Sequence, residues 1–254
     1  MNPGALDAGI LLPALAAGLI VGATHVPLGM RVLARGIVFI DLAVAQIAAL
    51  GVVVADYAGF EARDAAVQLA AFTAALGGAG VLNWTEKRWP ELQEALIGVA
   101  FVLAATAAIL VLAHHPHGGE SLRDLLSGQI LWVSFGSLAV PAVASAAILV
   151  AWFAGGARRG SGVFYVLFAC AVTISVQLVG IFLVFATLIV PALATRYAVR
   201  GRMPKAYAVA VAGYTLGLVA SALFDAPSGP AIVWAIAIAG VVAAFAERRA
   251  RVMA

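Results

Sequence analysis

The sequence predicts an all-α integral membrane protein with about eight to nine transmembrane helices, and three observations lead to this prediction. The 254 residues are 64% hydrophobic, and their mean hydropathy is +1.07. Only 11% of them are charged, whereas about 25% are charged in a soluble domain. Apolar runs of about the length that crosses a bilayer recur along the chain. We therefore expect a single transmembrane domain over residues 1–254.

The apolar runs number nine, and the seventh is short. They cover residues 6–28, 36–55, 65–82, 95–113, 130–154, 162–178, 181–194, 206–224 and 231–246. Residues 163–194 form a nearly unbroken stretch of roughly 32 residues, about 48 Å as a helix, which is too long for one span. Gln177 and Gly180 predict a break there, and Pro191 is expected to disturb the short helix that follows. That short segment either crosses the membrane or re-enters it.

The basic residues predict the orientation of the chain. Thirteen of the fifteen Lys and Arg residues lie in alternate connections, and only Arg63 and Arg123 lie in the others. By the positive-inside rule, the richer set is cytoplasmic, the N-terminus is outside and the C-terminus is inside. Nine crossings fit this alternation, and eight require one re-entrant segment. Because the basic clusters lie between apolar runs, they do not indicate a nucleic-acid-binding face.

Two polar residues, Asp41 and Gln46, lie in the long apolar stretch 29–55, in which no helix stop is evident. A carboxylate inside hydrocarbon is costly unless it faces protein, water or a cation, so Asp41 indicates a functional site. Carboxylate and amide oxygens both suit a divalent cation. Gln46 follows Asp41 by five residues, about 140° around an ideal helix, so both face one ion only across a bulge. The alternatives are a carboxylate paired for packing and an amide that bonds a neighbouring helix.

Histidines provide further candidate metal ligands. His25 lies in the first apolar run, shortly before Pro27. It is either a ligand that faces Asp41 or a residue that bonds a carbonyl freed by the proline. Three more histidines and a carboxylate lie in an outer loop, where they either capture a metal ion or form a solvated turn. These four residues are His114, His115, His117 and Glu120.

Four blocks of the sequence, taken together, resemble the ABC-3 family of zinc and manganese transporter permeases. The first block begins with Arg35, contains Asp41 and ends with a Leu-Gly pair. The family usually has a His four residues after this Asp, and this chain does not. The other blocks are DLLSGQILWVS at 124–134, VFATLIVPALATR at 184–196 and FDAPSGP at 224–230. The missing imidazole implies either a softer preference for zinc or a nitrogen ligand elsewhere.

The resemblance implies a type II ABC importer permease, similar to the vitamin B12 importers. The expected function is import of a divalent transition metal, zinc first, across the bacterial cytoplasmic (inner) membrane, with no permanently bound cofactor and no enzymatic activity. The expected partners are separate ABC ATPase subunits, an extracytoplasmic metal-binding protein, a second permease copy and the lipid bilayer. A separate ATPase fits the absence of a Walker A sequence.

The resemblance also implies a cytoplasmic docking surface for the ATPase. We expect it to use Arg158, Arg159, Arg200, Arg202 and Lys205. The segment 154–162, AGGARRGSG, is shorter than the acidic segment that the family commonly has there. Two alternatives stay open at this point. One is a manganese or iron permease, and the other is an ATPase-independent secondary transporter in which Asp41 carries a proton or an ion.

Overall fold

The computed structural model of the protein describes residues 7–60, 65–113, 130–156, 160–198 and 200–252. Within these ranges the chain forms nine α-helices and no strand, which confirms the all-α prediction. The helices are α1 (Ala8–Arg35), α2 (Ile40–Tyr57), α3 (Ala65–Arg88), α4 (Gln93–Leu112), α5 (Phe135–Ala151), α6 (Ser161–Val179), α7 (Ile181–Ala194), α8 (Arg202–Phe224) and α9 (Ser228–Val252). Each of the nine apolar runs corresponds to one helix in chain order.

Eight helices in the described ranges are long and apolar enough to cross a membrane. The exception is α7, which has 14 residues and is therefore about 21 Å long, shorter than the hydrocarbon core of about 30 Å. The prediction of eight to nine spans is confirmed. Whether α7 crosses or re-enters stays a prediction.

The break in the long stretch 163–194 lies at Gly180, as predicted. α6 ends at Val179, and α7 begins at Ile181. Gly180 joins them with φ 82°, a left-handed conformation that glycine adopts without steric cost. α7 continues through Pro191 to Ala194, so Pro191 does not end the helix, and the bend expected from it stays a prediction. Pro191 lies in the last turn, and its own carbonyl accepts from the backbone N–H of Thr195 at 3.2 Å.

The stretch 29–55 is interrupted, which corrects the prediction of a run without a helix stop. α1 continues through Pro27 to Arg35, and α2 begins at Ile40. Gly36 follows α1 with φ 70°, the left-handed conformation in which many helices end. Asp41 therefore lies in the first turn of α2 and not near the middle of a span.

The helices pack into two compact units. The first unit comprises the described residues of Met1–Arg35, Ser127–Ala146 and Leu178–Ala254, and the second those of Gly36–Leu126 and Ala147–Gln177. That residues 1–254 act as one permease domain stays a prediction.

In the first unit, α7 packs on α1 and α9, and α8 packs on α9 and α1. Gly213 and Gly217 of α8 lie against α9, where a Cβ added to either would come within 2.4 Å of Ile236 or Ile232. Such small residues let helix backbones approach closely in a membrane. Gly29 of α1 lies equally close to α7, because an added Cβ would meet the carbonyl oxygen of Leu188 at 1.9 Å. The first unit therefore depends on glycine at its helix crossings.

In the second unit, α2 packs on α3 and α4, and a buried polar network joins α3, α4 and α6. The amide nitrogen of Gln93 donates to the carbonyl of Leu82 at 2.9 Å and to the hydroxyl of Tyr165 at 3.0 Å. The amide oxygen of Gln93 accepts from the hydroxyl of Thr85 at 2.9 Å. Gln93, Thr85 and Tyr165 are all buried. Gln93 is thus the residue on which the three hydrogen bonds converge.

We expect Gln93→Leu to lower the stability of the purified chain by about 1–3 kcal/mol, because it leaves buried polar groups without their partner. Tyr165→Phe, the matched control, removes a single hydroxyl and is expected to cost about 1 kcal/mol or less. The measurement is the thermal unfolding midpoint in detergent. Equal midpoints for Gln93→Leu and the wild type would contradict a stabilising role for the network.

Candidate functional site

Asp41 is buried at the start of a membrane helix. Its side chain is 1% exposed, and its Oδ1 accepts from the backbone N–H of Leu42 at 2.8 Å. The position in the first turn of α2 brings the carboxylate to the end of the helix where the macrodipole favours negative charge. The helix therefore offsets part of the cost of a buried anion.

The connection that precedes Asp41 is held by a second carboxylate, Glu94 of α4. Its Oε1 accepts from the backbone N–H of Phe39 at 3.3 Å, at a helix start where the side chain of Phe39 supplies no cap. The other oxygen, Oε2, is buried without a hydrogen-bond partner among the described residues. Sequence reasoning did not identify Glu94 as a support of α2, because 55 residues separate it from Phe39 and no local pattern marks the contact.

Gln46 is buried on the same helix, at 4% exposure. α2 is an uninterrupted α-helix from Ile40 to Tyr57, so the angle of about 140° between Asp41 and Gln46 is retained. The two side chains lie on different faces of α2. No bulge brings them to one ion.

His25 of α1 is fully buried and held by one ring nitrogen. Nδ1 lies 3.0 Å from the carbonyl oxygen of Val21 and 3.0 Å from the hydroxyl of Thr24. Because a carbonyl only accepts, the bond to Val21 requires the proton on Nδ1, which leaves a lone pair on Nε2 of the neutral ring. Nε2 is buried and has no hydrogen-bond partner in the described part of the chain. An imidazole anchored through one N–H to a carbonyl is the usual arrangement of a metal-ligating histidine.

The alternative role for His25, a hydrogen bond to the carbonyl that Pro27 frees, is wrong, because the ring bonds to a different carbonyl. Pro27 lacks an N–H and therefore frees the carbonyl four residues earlier, at Ala23. That carbonyl accepts from the hydroxyl of Tyr207 of α8 at 2.9 Å. His25 bonds to Val21 instead. His25 belongs to the first unit, whereas Asp41 and Gln46 belong to the second.

The basic residues proposed for docking differ in their surroundings. Arg200 is exposed. Arg202 is partly buried, and its guanidinium donates to the carbonyl of Ala192, near the C-terminus of α7, at 3.4 Å. Lys205 forms an ion pair with Glu247 of α9. Of these three, Arg200 is the residue best placed to meet a partner, since Arg202 and Lys205 already bind helix ends of the same unit.

The remaining predicted site residues lie outside the described ranges. They are His114, His115, His117, Glu120, Arg158 and Arg159. Within those ranges, no group of three or more His, Cys, Asp or Glu side chains is arranged to hold a metal ion.

Comparisons with known proteins agree with the helical architecture. The profile of the ABC 3 transport family matches residues 7–155 and 157–247. Among solved structures, PsaBC from Streptococcus pneumoniae in complex with Fab has a TM-score of 0.70 at 19% identity, over 92% of this chain and 89% of that chain. An inward-facing metal-chelate type ABC transporter has a TM-score of 0.67 at 18% identity, over 92% of this chain and 85% of that chain. No curated protein matches the chain.

The structural likenesses show the fold, and the family profile covers nearly the whole chain. Together they confirm the resemblance that the sequence blocks predict. The chain is a multi-pass membrane protein with the fold of an ABC transporter permease, and it belongs to the ABC 3 transport family.

Proposed function

We propose that the chain is the permease of a bacterial ABC importer that carries a divalent transition metal, zinc in preference to manganese or iron, into the cytoplasm. The observation that carries this proposal is the buried carboxylate of Asp41 at the start of α2, inside a membrane helix. The names of the similar structures support it, since one of them is called a metal-chelate type ABC transporter. In this proposal the expected partners are two ABC ATPase subunits, an extracytoplasmic metal-binding protein and a second copy of the chain.

Asp41 is proposed to contact the ion on its route. Its carboxylate supplies the hard anionic oxygen that divalent cations bind. The positive end of the α2 macrodipole stabilises the same carboxylate and thereby moderates its affinity for a cation. A moderate affinity suits transport, since an importer must bind its ion in the outward-facing state and release it in the inward-facing state. Gln46, on another face of α2, is proposed to contact the ion at a different stage.

His25 is proposed to offer a nitrogen ligand to the ion on its route. Its Nε2 has an unused lone pair, and its ring is fixed through Nδ1 to Val21. Imidazole nitrogen favours zinc, whereas an oxygen-rich ligand set favours manganese. The proposal of zinc therefore depends on His25. The outer-loop residues His114, His115, His117 and Glu120 are proposed to capture the ion outside the membrane.

A secondary transporter is the second candidate function, and the break between α6 and α7 at Gly180 favours it. Discontinuous helices are typical of the ion sites of secondary transporters. Uptake into vesicles that contain the chain, with and without its candidate ATPase and binding protein, distinguishes the two functions. Uptake that depends on the ATPase, with zinc as the strongest competitor, supports the importer. Uptake without the ATPase would favour the secondary transporter, and stronger competition by manganese or iron would overturn the preference for zinc.

Arg200 is expected to contribute most to the binding of the ATPase among the three described basic residues. We expect Arg200→Glu to reduce co-purification of the ATPase several-fold, because the charge is exposed and free of the helix-end contacts of Arg202 and Lys205. The control is Arg63→Glu, which makes the same charge change in a loop predicted to be external. Unchanged co-purification with Arg200→Glu would place the docking surface elsewhere, with Arg158 and Arg159 as the next candidates.

A further inference from the structure

The first unit contains an apolar groove that the transport proposal does not use. It has a volume of about 430 Å³ and lies between the end of α7 and the second half of α9. Its walls include Val190, Leu193, Ala244 and Phe245, and its floor lies at Gly240, where an added Cβ would be 2.6 Å from Val190. Sites for small molecules have volumes of about 300–1,000 Å³. The groove is therefore large enough to hold a bound molecule.

One end of the groove is basic. Arg196, Arg248, Tyr197 and Glu247 line it. The guanidinium of Arg196 lies 4.5 Å above the ring centre of Tyr197, a cation–π contact that orients the side chain. Glu247 forms an ion pair with Lys205, so its charge does not compensate the two arginines. This end of the groove carries a net positive charge.

We propose that this groove binds an anionic phospholipid, with its phosphate at Arg196 and Arg248 and an acyl chain along the apolar walls. The walls and the basic end together match an amphipathic anion, since a free anion would leave the apolar walls without a partner. The exposed side chains of Leu193 and Phe245 border the groove within helices that lie in the membrane. By the distribution of basic residues, this end is cytoplasmic, and basic pockets between membrane helices on that side bind anionic headgroups.

Native mass spectrometry of the purified full chain tests the proposal, with phosphatidylglycerol, phosphatidylcholine and glycerol phosphate as the added probes. We expect one phosphatidylglycerol per chain at low lipid concentration. Phosphatidylcholine should bind at least about tenfold more weakly, because its choline ammonium group cancels the charge of the phosphate and is repelled by the two arginines. Glycerol phosphate, which lacks acyl chains, should not bind measurably.

Two independent variants separate the headgroup from the chain. Arg196→Gln with Arg248→Gln removes the charge and is expected to weaken phosphatidylglycerol binding at least tenfold. Ala244→Phe fills the groove without a change in charge and is expected to weaken it similarly. Arg200→Gln removes an exposed arginine that does not line the groove, and it should leave binding unchanged.

Four outcomes of the binding measurements would overturn the proposal. The first is unchanged phosphatidylglycerol binding by the double arginine variant. The second and third are binding of phosphatidylcholine or of glycerol phosphate as tightly as phosphatidylglycerol. The fourth is a loss of binding in Arg200→Gln as large as the loss in the double variant. Phe245→Cys in a Cys170→Ser background tests the competing occupant, a second copy of the chain. Efficient disulfide cross-linking of two chains in the membrane would show that a second copy covers the groove and would also overturn the proposal.

Discussion

Asp41→Asn is expected to lower ATP-dependent metal uptake by at least about 30-fold, with no loss of the folded chain. The substitution removes the negative charge that the proposed ion contacts. Loss of one partner of a buried charge pair costs about 2–5 kcal/mol, and each 1.4 kcal/mol is a factor of ten. The fold should persist, because the Asn side-chain oxygen still accepts from the backbone N–H of Leu42, as Oδ1 of Asp41 does.

Metal uptake into vesicles with the ATPase and the binding protein present is the measurement. Glu91→Gln is the matched control, since it removes one carboxylate charge at an exposed position and should leave uptake unchanged. Retention of the ATPase by the Asp41→Asn chain shows that assembly is intact. Uptake at the wild-type rate in Asp41→Asn would show that the ion does not contact Asp41. Asp41 would then be only a buried residue at a helix start.

The fold was largely predictable from the sequence, because bilayer thickness limits helix length and the chain is apolar wherever it meets lipid. The break at Gly180 was equally predictable, since 163–194 is too long for one span. The break at Gly36 was overlooked, although Arg35 followed by glycine is a recognised end of a helix. The apolar run 36–55 begins at this glycine, but the stretch 29–55 was predicted as one segment without a helix stop, so the interruption was not expected.

The surroundings of the candidate site residues were much less predictable. Glu94 contacts a backbone N–H that is remote in sequence, and only tertiary packing determines this contact. Arg202 and Lys205 are predicted to dock the ATPase, and the sequence does not show that each also binds a group on another helix. The carbonyl freed by Pro27 could be inferred from the sequence, whereas its partner Tyr207, on α8, could not.

His25→Asn is expected to lower zinc uptake about tenfold and manganese uptake much less. The Asn amide nitrogen lies near the position of Nδ1 in histidine and can still donate to the carbonyl of Val21, so α1 keeps this bond. The variant has no counterpart of Nε2, the buried nitrogen without a hydrogen-bond partner in the described ranges. Because zinc gains more from an imidazole ligand than manganese does, loss of Nε2 should change the selectivity as well as the rate.

Two further variants distinguish a ligand from a structural residue at position 25. His25→Gln can place an amide oxygen near Nε2 but loses the anchor at Val21, so it should lower stability and leave the preference for zinc as low as in His25→Asn, because an amide oxygen does not replace an imidazole nitrogen. Thr24→Val removes the hydroxyl beside Nδ1 and keeps Nε2, so its metal preference should equal that of the wild type. The ratio of zinc to manganese uptake decides between the two roles, because a purely structural histidine would change the amount of folded protein and leave that ratio constant. A constant ratio in His25→Asn would assign the imidazole to the packing of α1 and would require another nitrogen ligand for zinc.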